Sequence, residues 1–249
     1  MTCPAVAHAI NSEAACARKY WAKGLFGILL AAAALSGCSA LPDKPQRATL
    51  FDFGPSVAMP QATPAPSSPS SPSSPSSASA LPAVAVDDVA TAGGGLDNSS
   101  VLYRLGYLDA QELRAYSMAR WSMPAAQLIR QRLRDQLSLR RPVYNARESL
   151  ALNRSQNPVL PLQIRLELLE FSHYFSKPDV SVGLVKLRAT LVEVTPTGEK
   201  LISQRAIAVE RPAASADAQG GVRALTQATD AAIAEIEQWL LAAAPAAGR

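Results

Sequence analysis

Between Leu25 and Leu35 the chain carries eleven consecutive apolar residues, and Arg18, Lys19 and Lys23 precede them. A helix crossing a bilayer core needs about 20 such residues. The run therefore fits the apolar region of an export signal rather than a membrane span. It closes at Leu35-Ser36-Gly37-Cys38, the last of the three cysteines Cys3, Cys16 and Cys38. The stretch before Arg18 is long for a signal, which points to a later start and makes Cys3 and Cys16 irrelevant. The folded body that follows has no cysteine, so it has no disulfide framework, redox pair or thiol nucleophile. It must be held by an ordinary apolar core.

A Leu, two small residues and a Cys resemble the bacterial lipobox. Small residues give a peptidase access to the backbone, and the thiol accepts diacylglycerol before cleavage. A mature chain would then begin at Cys38, with that residue carrying diacylglycerol and an N-acyl chain such as palmitate. Several acyl chains, at about 0.8 kcal/mol per buried CH₂, anchor a protein permanently. Lipoproteins retained at the inner membrane resemble one another in having Asp next, whereas this chain has Ser39. Ser39 favours the outer membrane, with the protein facing the periplasm.

The inventory excludes several chemistries. With 24 Lys+Arg against 20 Asp+Glu the formal charge is +4, and part of that excess lies in the signal. No basic footprint for a nucleic acid remains. Of the two histidines, His8 lies in the signal, leaving His173 alone, too few for a His cluster or a His/Cys metal site. A Walker A pattern is absent, as is Gly-x-Ser-x-Gly. An envelope enzyme is therefore improbable, and no cofactor is expected beyond the lipid on Cys38.

Along the chain, the signal occupies 1–37 and a lipidated tether 38–48. A β-prone run follows at 49–55, closed by Gly54-Pro55. Within Ser67–Ser79 nine residues are Ser and three are Pro. Such a composition buries nothing worth its ordering entropy, so 56–82 is expected to be disordered. If the run at Leu50–Phe53 belongs to the folded domain, 56–82 is an insertion; if not, everything from Ser39 to Pro82 is a tether. The body spans 83–241, and 242–249 form a flexible tail.

Within the body, short runs at Ala83–Val86, Val101–Leu105 and Glu112–Tyr116 read as strands. Ser122 and Pro124 read as the cap and first turn of a helix whose apolar positions are Leu128, Ile129, Leu133 and Leu137. From Leu160 to Leu168 apolar and polar residues alternate, and the phase changes at Leu168-Leu169, where a bulge is expected. Val185, Leu187, Ala189 and Leu191 alternate likewise. Thr195–Gly198 signals a tight turn, with Lys200–Glu210 as the hairpin partner. Val222, Leu225, Thr229, Ile233, Ile236 and Trp239/Leu240 make the stripe of a terminal helix over Ala216–Leu241. These elements predict one layered α/β domain, with a mixed or antiparallel sheet covered by two main helices.

The lipobox, Leu50-Phe-Asp-Phe-Gly-Pro55, Ala119-Arg120-Trp121 with Pro124 and Gln127-Leu128, Leu187-Arg-Ala-Thr-Leu191, Gly220-Gly221 and Trp239-Leu240 come in a telling order. In that order they resemble the ABC-type transport auxiliary lipoproteins, which accompany Mce-domain (Pqi-type) lipid transport systems. The resemblance runs from Cys38 to about Leu241, apart from the insert at 56–82. It implies that the first strand belongs to the domain. It also implies a non-catalytic periplasmic subunit that docks or stabilises an Mce-domain protein, with ABC transporter subunits supplying energy. A homo-oligomer such as a ring is compatible with it. The alternative is a stand-alone carrier that holds a lipid in its own cavity.

Candidate site residues each have two readings. Arg120 and Trp121 are partner-contact candidates, because Arg and Trp dominate interface hot spots; equally, Trp121 is core and Arg120 solvated beside it. Arg130, Arg132, Arg134, Arg140 and Arg141 would attract anionic headgroups, or else form a solvated helix face. Asp87-Asp88 and Glu167/Glu170 offer carboxylates for acid–base or metal work, or else, with no His, Cys or nucleophile at a telling spacing, read as surface carboxylates. His173 reads as structural or exposed. Metal and catalytic residues are expected to be none.

Overall fold

The computed structural model describes residues 47–55, 81–146, 160–195 and 197–243. The expected signal at 1–37, Cys38, residues 56–80 of the expected insert and the last six residues lie outside this set. Nine strands and two helices occur among the described residues, in one unit that starts at Ala48.

Two long strands organise the sheet. The first, β7 (Leu162–Lys177), shows the alternation expected of it: Ile164, Leu166 and Leu168 are buried. The register then shifts between Leu168 and Glu170, and Phe171, His173 and Phe175 continue the buried face. One extra residue moves the inward set from even to odd numbers, as a bulge must. Antiparallel to β7 runs β8 (Val180–Thr195), and after the Thr195–Gly198 turn β9 (Gly198–Pro212) pairs with β8.

The other edge of β7 is shared by three short strands in tandem. From one end to the other these are β2 (Val84–Val86), β3 (Ala90–Thr91) and β4 (Ser100–Leu105), all parallel to β7. Outside β2 lies β6 (Val143–Asn145), also parallel. Outside β4, antiparallel, lies β5 (Arg114–Trp121), and β1 (Thr49–Phe51) pairs with it in parallel. The sheet is therefore mixed.

The helices α1 (Ala125–Ser138) and α2 (Ala218–Ala243) cover one face. Every apolar position predicted for the terminal stripe is buried: Val222, Leu225, Ile233, Ile236, Trp239 and Leu240, with Thr229 among them. The start of α1 differs from expectation. Ser122 makes no cap, because the helix begins at Ala125 and its cap position falls at Pro124; the Ser122 N–H donates to the Phe51 carbonyl in the β1–β5 ladder. Pro124 holds the cap position without a side-chain bond, and its carbonyl accepts from Gln127 and Leu128. β5 therefore extends to Trp121, five residues beyond the sequence expectation.

Candidate functional site

Strand alternation sends the two partner-contact candidates to opposite faces of β5. Trp121 points inward and is 1% exposed. Its ring meets Phe53 edge-on at 5.5 Å and Phe171 at 5.6 Å, so it fills the junction of β1, β5 and β7. A side chain so buried offers a partner no surface. Arg120 points outward, half-buried, and its guanidinium folds back to donate to the carbonyls of Tyr116 and Ala119. Across the β1–β5 pair Arg120 faces Leu50, which is 69% exposed, and Met118 on the same face of β5 is 42% exposed. Leu50, Met118 and Arg120 thus make one amphipathic patch at the sheet edge, on the side away from the core. Sequence reasoning missed Leu50 and Met118, because an apolar residue on a three-residue edge strand carries no periodic signal.

Two surface grooves flank β1 on its α2 side. One, of about 410 Å³, is bounded by Leu50, Phe53, Val222 and Thr226. The other, of about 480 Å³, is bounded by Phe51, Tyr116, Met118 and Ala218. Between the first turns of α2 and the start of β8 the packing is close. A Cβ added to Gly183 would lie 2.4 Å from the backbone of Ala224 and Leu225, and one added to Gly221 would lie 2.4 Å from His173 Nδ1. The helix backbone rests directly on β8 there, and the imidazole fills the space beside it.

His173 is fully buried, which settles its two readings as structural. Nε2 is 2.7 Å from Ser181 Oγ and Nδ1 is 2.9 Å from the Tyr116 hydroxyl, so both ring nitrogens are hydrogen-bonded. Burial lowers its pKa from 6.5 to about 4, opposed in part by Asp217, and burial raises that of Tyr116. The ring is accordingly neutral at physiological pH and locked in a bridge between β5, β7 and β8.

The arginine set is not a uniformly solvated face. Arg132 is 5% exposed and bonds Asp230 on α2, while Arg141 is 4% exposed, with Nε and Nη2 lacking a partner among the described residues. Burial lowers the Arg141 pKa. Arg130 pairs with Asp88 and Arg140 with Glu237. The surface carboxylates are committed too: Asp87 and Glu199 hold Arg165, Glu167 pairs with Arg188, and Glu170 with Arg104. Among the described residues no group of three or more His, Cys, Asp or Glu could hold a metal, and no helix is long and apolar enough to cross a membrane.

Residues 63–237 match the family described as the ABC-type transport auxiliary lipoprotein component. The chain belongs to this family. The description names a transport component of lipoprotein type rather than a catalytic family. No curated protein matches the chain. Among solved structures, a Xanthomonas campestris protein is similar with a TM-score of 0.54 and 17% identity, over 65% of this chain and 85% of that one. At that identity it shows the shared fold alone. A second structure, titled only as an uncharacterized protein, gives a TM-score of 0.49 at 15% identity over 64% of this chain and 92% of that one. A Chlamydia trachomatis hypothetical protein gives 0.40 at 10% identity, over 66% and 99%. In this auxiliary lipoprotein the motifs that carried the resemblance fall on structural positions: Phe53 and Trp121 in the core, Leu187–Leu191 in β8, and Gly220-Gly221 at the start of α2.

Proposed function

We propose that the protein is a non-catalytic accessory subunit of an ABC/Mce-type lipid transport system. Diacylglycerol and an N-acyl chain on Cys38 hold it on the periplasmic face of the outer membrane. There it docks or stabilises the Mce-domain component, with Arg120, Leu50 and Met118 as the contact patch. Membership of the transport auxiliary family supports a transporter as the partner. The observation that favours docking over carriage is the contact of α2 with β8 at Gly183, where even a methyl group has no room. An acyl chain held between sheet and helix needs an enclosed cavity of several hundred Å³; this contact leaves no room for one at Gly183, and the grooves of that size beside β1 are open to the surface.

The test is an affinity pull-down of the lipidated protein from detergent-solubilised envelopes, with mass spectrometry of the recovered proteins and lipids. The expected result is an Mce-domain protein and ABC transporter subunits, with little phospholipid, and loss of both on Arg120→Glu combined with Leu50→Glu. Stoichiometric phospholipid without a transporter would overturn docking and establish the stand-alone carrier.

A further inference from the structure

The topology gathers three connections at one end of the sheet. Leu105 of β4 pairs with Phe175 of β7, and Lys177 pairs with Val180 across the β7–β8 hairpin. The β4–β5 turn and the β7–β8 turn therefore lie side by side. β9 ends at the same level, where the Ala213 N–H donates to the Ser181 carbonyl, and α2 begins just beyond. Three apolar side chains are exposed at this end: Tyr107 at 40%, Leu108 at 67% and Val180 at 48%.

The Tyr107-Leu108 turn is held in place rather than merely uncovered. The N–H groups of Leu108 and Asp109 donate to the Leu105 carbonyl. Arg104 fastens the outgoing strand, with Nη1 donating to the carbonyls of Ala110 and Gln111 while Nε and Nη2 bond Glu170. The phenol of Tyr174 packs against Gly106, where a Cβ would lie 2.2 Å from its hydroxyl. Apolar side chains grouped at one end and held in a fixed turn mark a contact surface, where isolated ones would not. Tyr, with an apolar ring and a polar tip, suits a lipid–water interface.

The position of β1 says what the covering surface is. Parallel to β5, it runs away from the turn end, so the chain enters Thr49 from that side. Thr49 pairs with Ala119, five residues past the start of β5, which places it about 17 Å from the turn level. Ten residues lie between Cys38 and Thr49, and the eleven steps from one to the other reach at most about 40 Å. A lipid on Cys38 therefore tethers this end within reach of its bilayer. The opposite end, marked by exposed Leu201 and Leu241, lies about 39 Å from the turn level by the 26 residues of α2, hence about 22 Å from Thr49 on the side away from the entering chain. Asp109, Lys177 and Asp179 flank the apolar residues with charges of both signs.

We infer that the turn end of the domain, with Tyr107, Leu108 and Val180, rests in the interface of the lipid bilayer that carries the anchor, and points the opposite end of the sheet away from the membrane. The inference deepens the proposed function and rests on acylation of Cys38.

The test uses full-length lipidated protein in vesicles of phosphatidylethanolamine and phosphatidylglycerol. Leu108→Cys, Val180→Cys and Leu201→Cys variants each carry an environment-sensitive fluorophore, and intact mass is measured first. All three replaced side chains are exposed, so the fold is retained, which thermal melting checks. The expected result is a blue-shifted emission at 108 and 180, quenched by nitroxide lipids, with label 201 water-like and unquenched. Water-like labels at 108 and 180 on acylated protein overturn this inference alone, as does equal quenching at all three positions. An unmodified Cys38 overturns the anchoring reading and this inference with it.

Discussion

Arg132 on α1 and Asp230 on α2 are joined by two parallel hydrogen bonds, Nε to Oδ1 at 2.7 Å and Nη2 to Oδ2 at 3.0 Å. The guanidinium is 5% exposed, while the carboxylate side chain is 36% exposed. The pair pins the two helices together on the covered face of the sheet, and the third nitrogen, Nη1, reaches the Gly54 carbonyl at 3.4 Å. Helix–helix and helix–strand contacts therefore converge on one side chain.

Removing Asp230 leaves a buried cation without its partner, whereas removing Arg132 leaves an acid that can still reach water. Asp230→Ala is expected to cost about 3 kcal/mol and Arg132→Met clearly less, because a linear apolar chain keeps the packing. Urea unfolding of both variants checks this, and equal losses would show that Asp230 is as deeply committed as its partner.

Gly183→Ala places a methyl against the backbone of Ala224 and Leu225, which has no rotamer to escape into. An expected loss of about 3 kcal/mol follows from displacing α2 from β8. Gly93→Ala is the control, since a Cβ there meets nothing within 4 Å. Thermal unfolding distinguishes the two, and a wild-type melting temperature for Gly183→Ala would refute the contact.

His173 sets a pH dependence whose sign follows from its buried, neutral ring. The folded pKa, about 4, lies below the usual 6.5, so between these values the unfolded chain binds a proton that the folded chain refuses. Stability from this group is complete above about pH 6.5 and declines as pH falls toward 4, by at most about 3 kcal/mol. Tyr103, Tyr116 and Asp217 face the same region, and Asp217, lowered chiefly by the Gly220 N–H and by Ser215, adds loss at still lower pH. Melting temperatures of wild type and His173→Gln between pH 7.5 and 4 isolate the histidine. The variant should lose part of the slope above pH 4, and identical slopes would show that the ring is reached by water.

Some of this architecture was legible in the residues because it depends on near neighbours. The bulge after Leu168, the β8–β9 hairpin and the apolar stripe of α2 each follow from a period of 2 or 3.6 that any few turns of chain display. The cap at Ser122 misled because the strand ladder, through the Phe51 carbonyl seventy-one residues earlier, carries extended chain as far as Ser122 and leaves the cap position to Pro124. Arg132 and Arg141 read as solvated for a related reason. A charged residue on a helix, as Arg132 is, or just past its end, as Arg141 is, gives no local sign of what will close over it.

What the sequence alone determined is the family, the alternation of each long strand and the amphipathic face of each helix, since side-chain direction is fixed by local backbone geometry. The tertiary structure alone decided which neighbours those faces meet. It ranged three short strands along one edge of β7 and brought His173 between Tyr116 and Ser181. It also turned Trp121 into the core while leaving Arg120 beside Leu50. These contacts join residues far apart in the chain, so they exist only once the chain has closed its long loops, and no local pattern encodes them.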